Sequence, residues 1–323
     1  MAKRISIEER RRGRLARSPG EIPRAGWKDI LLRTRREAER DSISLVAAGV
    51  GFYSLLAIFP ALAALISIYG LVADPAAIER QVQAVIHIIP AEAAGVLQQQ
   101  LQSLASQPRG GLSLGVAAGI LLALWSASAG VKALIQGLNI AYGEAEQRGF
   151  IKLNAIALLL TLGGVLFMIF ALGLIAVLPA AIRLFGLDGL PAAIASLASW
   201  PLLLAMIVVG LAVVYRFGPS RNEPRWRWVS WGAGVATALW LAGSVLFSVY
   251  VANFGNYGKT YGSVGAIVIL MMWFYLTAYS VLLSAQLNAE IEHHTALHTT
   301  ELTDKPRGRR GAHVADTVGE QQR

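Results

Sequence analysis

The sequence contains no cysteine, five histidines and few charged residues among its 323 positions. Without cysteine the chain has no disulfide, no thiolate metal site and no cysteine nucleophile. Charged residues make up 15% of the chain, whereas about a quarter of a soluble domain is charged. The shortage of charge, together with 55% apolar residues in long blocks, excludes an ordinary soluble protein and favours a membrane protein.

Six stretches of the sequence are apolar, nearly free of charge and long enough to cross a bilayer. A charge at mid-membrane costs about 2.5–3.5 kcal/mol, and a helix needs about 20 residues to span the hydrocarbon. The sequence therefore predicts an all-α, polytopic membrane helical bundle over residues 42–290. Its six predicted spans are residues 43–72, 112–135, 153–180, 193–215, 229–253 and 262–288.

Lysine and arginine are distributed unequally between the two sides that these spans define. Of the 29 such residues, 24 lie on the side that carries both termini, and four lie in the opposite connections. Basic connections stay in the cytoplasm. We therefore expect a multi-pass inner (plasma) membrane protein with both termini cytoplasmic, and we interpret the net charge of +9 as a topology signal.

The segments outside the spans have different compositions. Residues 24–41 place apolar and basic residues on different helix faces, which predicts an interfacial helix drawn to anionic inner-leaflet lipids. Residues 76–105 carry apolar residues at helical spacing on both sides of Pro90, which predicts amphipathic helices outside the membrane. The charged flanks predict a disordered basic N-terminus over 1–23 and a disordered cytoplasmic tail over 291–323.

Two features of the spans bear on helix packing. Pro60 lies near the middle of the first span, which indicates either a tilted, proline-kinked helix or a broken helix that exposes backbone groups as a transport site. In the second span Gly111, Gly115 and Gly119 recur every four residues. One face of that helix is nearly bare backbone, and we expect a neighbouring helix to pack closely against it.

The alternation of the spans brings many polar residues to the cytoplasmic ends of spans one, two, three and six. We expect them to form one polar cluster there. Its candidate members are Asp41, Lys132, Asn139, Tyr142, Glu144, Glu146, Arg148, Gln286, Asn288 and Glu290. Lys132 either snorkels to the interface or, like Arg148, pairs with Asp41 or Glu290. Such a pair would lock the bundle or meet an anionic headgroup.

Motifs for catalysis and for metal or nucleotide binding are missing from the sequence. It has no H-E-x-x-H, G-x-S-x-G or phosphate-binding glycine pattern. His293, His294 and His298 lie in the predicted tail, where we interpret them as solvated. We expect no catalytic residue, no metal, no cofactor and no specific nucleic acid. Membrane lipids are the expected partners, and a homo-oligomer is compatible with the sequence.

Several stretches resemble the YihY/BrkB family of bacterial inner-membrane proteins, over residues 27–290. The stretches are Asp41 to Pro60, Leu138-Asn-Ile-Ala-Tyr-Gly143 with Arg148 and Phe150, Tyr261-Gly-Ser-Val-Gly-Ala266, and Trp273-Phe-Tyr275 running on to Asn288. The family commonly has Gly-Ala-Glu-x-Asn at the end of this region, whereas this chain has Ser284-Ala-Gln-Leu-Asn288. Gln286 therefore stands where a carboxylate is usual.

The resemblance implies an inner-membrane protein whose activity is not established. Members carry names drawn from virulence and serum resistance, and an older label, ribonuclease BN. A metal-dependent ribonuclease needs clustered carboxylates or histidines, which the predicted membrane core lacks, so we expect no enzyme. Transport or the handling of lipids and envelope compounds is the favoured function. The alternatives are a non-catalytic envelope accessory protein and, disfavoured, a ribonuclease.

Overall fold

Long helices make up most of the described structure. The computed structural model describes residues 11–69, 114–177, 190–254, 263–295, 300, 308 and 310–319. Within these residues the helices are α1 (Arg24–Arg40), α2 (Ile43–Tyr69), α3 (Leu114–Ala141), α4 (Phe150–Leu172), α5 (Leu190–Phe217), α6 (Trp226–Phe254), α7 (Ser263–His294) and α8 (His313–Asp316). A 3-10 turn at Pro19–Glu21 precedes α1, and a π-helical turn at Gly173–Val177 follows α4.

Six of these helices, α2 to α7, have the length and composition of membrane spans. Their apolar stretches are 21 to 28 residues long, and about 20 residues cross the hydrocarbon. Large apolar side chains such as Leu122, Ile151, Phe170 and Leu246 are exposed on the isolated chain, as expected of a surface that faces lipid. The predicted all-α bundle with six transmembrane helices is confirmed.

The helices differ from the predicted spans mainly at one end of the bundle. The predicted second span stops at residue 135, but α3 continues to Ala141, and α7 continues beyond 288 to His294. The polar side chains in these last turns do not end the helices, because helical backbone bonds need no apolar side chains. The predicted external helices at 76–105 lie outside the described residues.

Helix α2 lies between α3 and α7, and the remaining helices pack around these three. Helix α4 packs against α3, and α6 packs against both α5 and α7. The largest buried cluster includes Ile43, Leu138, Tyr215, Val229 and Leu282, one residue from each of five helices. It also contains several alanines, and such small residues let membrane helices approach closely.

Glycines contribute to this close packing at positions that the sequence analysis did not single out. A side chain at Gly130 would meet Ala57 at 3.1 Å, and one at Gly137 would meet Leu282 at 3.0 Å. In contrast, no described neighbour lies within 4 Å of the position a Cβ would take at Gly119. The close glycine contacts described for α3 therefore lie in its second half. Gly111 lies outside the described residues, and Gly115 lies in the first turn of α3.

Pro60 lies inside α2, which is continuous from Ile43 to Tyr69. The alternative of a helix broken at Pro60 is therefore wrong. The turn between α1 and α2 is made by Ser42, whose φ of +51° is unusual for a residue other than glycine. At the end of α3, Gly143 has a φ of +64°, the conformation that commonly ends a helix.

Parts of both predicted disordered flanks are folded. Arg14, Ala16 and Ile22 are buried, and the Arg14 side chain donates a hydrogen bond to the backbone oxygen of His294 at 3.1 Å. Residues 310–319 also pack against the bundle, with Val314 buried in the largest apolar cluster. Disorder at 11–23 and 310–319 was the wrong prediction, because contacts between segments almost 300 residues apart cannot be inferred from local composition.

Candidate ligand site at the terminal face

The polar ends of the spans meet at one end of the bundle, which we call the terminal face. There α2, α4 and α6 begin, α3, α5 and α7 end, and the folded parts of both flanks pack against them. The predicted cluster members lie at this face, except for Lys132. That residue is nine positions before the end of α3, about 13 Å deeper along the helix axis.

A cavity of about 450 Å³ opens at the terminal face between α1, α3, α7 and the C-terminal segment. We call it the terminal cavity. Gln286 and Tyr142 line its inner part and are 3% and 1% exposed. The Gln286 Oε1 atom is buried and has no hydrogen-bond partner. Because an unsatisfied buried polar atom costs about 1–3 kcal/mol, a donor that entered the cavity would be stabilised there.

The charges that line the terminal cavity are balanced. Three arginines and three carboxylates contribute to its wall, namely Arg33, Arg36, Arg40, Glu37, Asp41 and Glu290. Two histidines, His293 and His313, also line it. Such a wall complements a group that carries both signs of charge, or a polar neutral group, better than a group with one net charge.

An ion pair fixes α1 against α7 beside this cavity. Arg33 Nε donates to Glu290 Oε2 at 2.6 Å, and the two side chains are 5% and 6% exposed. The same guanidinium lies 3.4 Å from Nδ1 of His294. A buried pair of this kind tolerates little change, because removing one partner leaves an uncompensated charge.

A second buried ion pair lies deeper under the C-terminal segment. Arg221 donates to Glu292 Oε1 at 2.6 Å, and its guanidinium stacks 5.1 Å from the centre of the Tyr142 ring. Burial, only partly opposed by the Arg221 charge, raises the pKa of Tyr142 well above its ordinary value. The Tyr142 side chain is therefore neutral at physiological pH. Its hydroxyl can form hydrogen bonds but does not lose its proton.

Comparison with known proteins identifies the family to which the chain belongs. The family model described as Virulence factor BrkB matches residues 34–309. The chain belongs to the BrkB family. It is 32% identical over 251 residues to a ribonuclease-like protein, YfkH, of Bacillus subtilis (strain 168), an alignment that covers 75% of this chain and 88% of that protein. The resemblance stated from the sequence is confirmed.

Two further relatives of this BrkB family protein carry membrane-protein names. A UPF0761 membrane protein of Aeromonas salmonicida (strain A449) is 26% identical over 78% of this chain and 84% of its own length. Another, of Idiomarina loihiensis, is 31% identical over 31% of this chain and 34% of its own length. No solved structure matches the chain. The protein is therefore an integral membrane member of this family.

A polar network joins the ends of α3, α4 and α5 in this BrkB family chain. Its side chains are those of Asn139, Glu146 and Arg148. Asn139 accepts a hydrogen bond from the backbone of Ser220 at 2.7 Å and donates to Glu146 at 3.0 Å. Arg148 binds Glu146 at 2.7 Å and the backbone oxygen of Gly218 at 2.8 Å. The Arg148 hydrogen bond is the main cause that lowers the pKa of Glu146 to about 2.

Asn288 joins α7 to α6 by backbone contacts alone. Its Oδ1 accepts a hydrogen bond from the Gly232 amide at 2.9 Å, and its Nδ2 donates to Val229 at 3.3 Å. A Cβ at Gly232 would lie 2.3 Å from this side chain. The close approach of α6 and α7 therefore requires glycine at position 232. The role of Asn288 is structural, because its side chain joins the two helices.

The alternative in which Lys132 or Arg148 pairs with Asp41 or Glu290 is wrong. Lys132 Nζ donates to Asn154 Oδ1 of α4 at 3.1 Å and lies 5.2 Å from the Trp125 ring centre. Arg148 pairs with Glu146. Lysine at this depth is thus stabilised by a neutral amide and an aromatic face, and Glu290 pairs with Arg33 instead.

Asp41 ends α1 at the rim of the terminal cavity. Burial is the main cause that raises its pKa, with the negative charge of Glu37 adding to the effect and Arg40 opposing it. Asp41 therefore holds a proton more readily than an ordinary aspartate.

The C-terminal segment 310–319 separates the terminal cavity from a second cavity of about 770 Å³. His313 lines both cavities, and its backbone amide donates to Glu144 at 2.7 Å. Burial raises the pKa of Glu144 despite that hydrogen bond. The segment is held at its other end by the amide of Gly319, which donates to the His293 oxygen at 3.0 Å.

Four residues of the site were missed by the sequence analysis: Arg33, Arg221, Glu292 and His294. Arg33 is one of many arginines in α1, and only its apolar neighbours at helical spacing indicate that it faces α7. His294 is fully buried rather than solvated, with Nε2 2.8 Å from the Arg12 oxygen. Within the described part of the chain, no three His, Asp or Glu residues are placed to hold a metal ion.

Proposed function

We propose that this BrkB family protein is a transporter that binds a polar, zwitterionic group in its terminal cavity. The observation that carries the proposal is the Gln286 oxygen, buried and unpaired, at the inner part of a cavity with equal numbers of cationic and anionic side chains. The bound group is either the headgroup of a zwitterionic lipid or a small soluble zwitterion.

The location of the cavity supports transport or lipid handling. It opens where polar and apolar surfaces meet, at the end of six helices whose outer surfaces are apolar. Both halves of an amphiphilic lipid would find a suitable environment there. A small zwitterion would use the same arginine and carboxylate contacts without the apolar surface.

The test is reconstitution into phosphatidylcholine liposomes with three separate probes. The probes are fluorescent phosphatidylethanolamine, fluorescent phosphatidylglycerol and a radiolabelled neutral amino acid. Faster movement of phosphatidylethanolamine between leaflets identifies a lipid substrate, and amino-acid uptake identifies a soluble one. Movement of neither zwitterion, or faster movement of phosphatidylglycerol, would contradict the proposal.

Gln286→Leu is the variant that tests the site itself. It keeps a side chain of similar size but removes the unpaired oxygen, so we expect movement of the zwitterionic probe to fall about tenfold, equivalent to about 1.4 kcal/mol. Ser280→Ala is the matched control, because Ser280 is a buried polar residue of the same helix that bonds only its own backbone. Equal activity of the two variants would refute a role for Gln286.

We also propose that the protein lies in the bacterial inner membrane with its terminal face in the cytoplasm. The distribution of lysine and arginine supports this orientation. The absence of cysteine allows single-cysteine labelling without background. Ser18→Cys and Thr317→Cys should react with an impermeant maleimide only in inverted vesicles, and Gln99→Cys only in intact spheroplasts. The reverse pattern would overturn the orientation.

RNA cleavage and a non-catalytic accessory role remain the alternatives. The name of the Bacillus subtilis relative describes that protein as ribonuclease-like. Two carboxylates at the terminal face, Glu290 and Glu292, are engaged by Arg33 and Arg221. RNA cleavage by purified protein with added magnesium would favour the enzyme, and a transport-inactive protein that retains envelope partners would favour the accessory role.

A further inference from the structure

A third opening lies on the flank of α1 opposite the terminal cavity. It is a groove of about 600 Å³ between α1, α6 and α7, which we call the lateral groove. Its wall is mainly apolar and includes Leu31, Val235, Leu239, Leu283 and Leu287. The lateral groove and the terminal cavity have no lining residue in common.

The lateral groove lies between apolar spans and a basic helix. Leu239 on α6 is 39% exposed, and Leu31 on α1 is 56% exposed. Because α6 and α7 are membrane spans, an opening between them is filled from the lipid phase rather than from water. The groove therefore accepts a hydrocarbon chain.

One end of the lateral groove is polar. Arg35 and Glu39 of α1 line it there, together with Ser42. The Arg35–Glu39 pair, at 2.9 Å, is highly exposed, so it holds Arg35 only weakly and leaves donors for another partner. Helix α1 carries six arginines and lysines against three acidic residues. Its charge complements an anionic headgroup at the membrane surface.

We propose that the lateral groove holds one acyl chain of an anionic phospholipid whose phosphate lies beside Arg35. The apolar wall selects the chain, and Arg35 selects the charge of the headgroup. The inference is independent of the proposed transport function, because a resident lipid on this flank of α1 neither enters nor blocks the terminal cavity.

The test is lipid retention by the full chain, measured by native mass spectrometry. Protein is released from nanodiscs that contain equal amounts of phosphatidylglycerol and phosphatidylcholine. We expect one retained phosphatidylglycerol per chain. Val235→Trp fills the groove and should abolish retention, whereas Val245→Trp, on the lipid-facing surface of the same helix, should preserve it. Retention by both tryptophan variants would overturn the proposal.

The headgroup contact is tested with a matched pair of charge variants. Arg35→Ala should lower the preference for phosphatidylglycerol about fivefold, the value of one basic residue near a membrane surface. Lys28→Ala removes the same charge from an exposed position of α1 outside the groove and should leave the preference unchanged. An equal loss in both variants would show general surface attraction only and would contradict a specific site.

Discussion

At the scale of single residues, the buried Arg33–Glu290 pair is the contact most sensitive to change. Arg33→Ala leaves the Glu290 carboxylate buried without its arginine partner, with the Nδ1 atom of His293 3.8 Å away. We expect a loss of about 3–5 kcal/mol in the free energy of unfolding, measured in detergent by circular dichroism. Arg35→Ala is the control, because its ion pair with Glu39 is highly exposed and contributes little to stability. Similar losses in both variants would contradict the account.

Lys132 should contribute less to the free energy of unfolding than its depth in the span suggests. Its contacts are one hydrogen bond to Asn154 and the face of Trp125, so Lys132→Ala leaves no charge unpaired. We expect a loss of about 1–2 kcal/mol, clearly smaller than that of Arg33→Ala in the same unfolding experiment. A larger loss for Lys132→Ala would reverse the order of importance derived from the structure.

The ion pair of Glu146 with Arg148 should make the stability of the protein depend on pH. Its pKa is about 2 in the folded chain against an ordinary 4.5, so its stabilising effect is fully present above pH 5. That effect is lost as the pH falls towards 2, because protonation breaks the pair with Arg148. The melting temperature of the wild type should therefore fall more steeply between pH 5 and 2 than that of Glu146→Gln. Parallel curves would contradict this assignment.

At the scale of the helices and segments, the C-terminal segment 310–319 is a folded element that the sequence analysis did not predict. Asp316 holds its shape by accepting backbone hydrogen bonds from Gly308, Arg310 and Gly311 at 2.6–3.1 Å. These hydrogen bonds lower the pKa of Asp316 although burial opposes them. Val314 then anchors the segment in the apolar cluster below.

Deletion of residues 308–323 should destabilise the bundle without unfolding it. Loss of the buried Val314 side chain and of the Glu144 hydrogen bond costs about 3 kcal/mol, which lowers the melting temperature by about 6–12 °C for a chain of this size. An unchanged melting temperature in the deletion variant would show that the segment does not pack as described.

Sequence reasoning predicted the helices better than their contacts. Apolar composition and length identify α2 to α7, because a membrane span must satisfy its backbone internally and its surface must be apolar. The same reasoning gathered Asn139, Tyr142 and Gln286 at one face. It did not predict that Arg33 binds Glu290, since many arginines in α1 have similar local surroundings. It also did not predict the close contacts at Gly130 and Gly137 in the second half of α3.

At the scale of the whole molecule, the two flanks complete the terminal face. Residues 11–23 pack against the end of α7 through Arg14 and Thr295, and residues 310–319 separate the two cavities. The six spans thus provide an apolar body, and α1 and the C-terminal segment line the terminal cavity around Gln286 together with the ends of α3 and α7. A site assembled in this way depends on both ends of the chain.

The most direct test of the terminal cavity as a ligand site is a cryo-electron microscopy map of the protein in nanodiscs made from native lipids. The account predicts non-protein density in the terminal cavity, with an atom within hydrogen-bonding distance, about 2.7–3.2 Å, of Gln286 Oε1. The Gln286→Leu variant should lack this density while retaining the fold. A terminal cavity without such density in the wild type, or with Gln286 bonded to another part of the chain, would contradict the account.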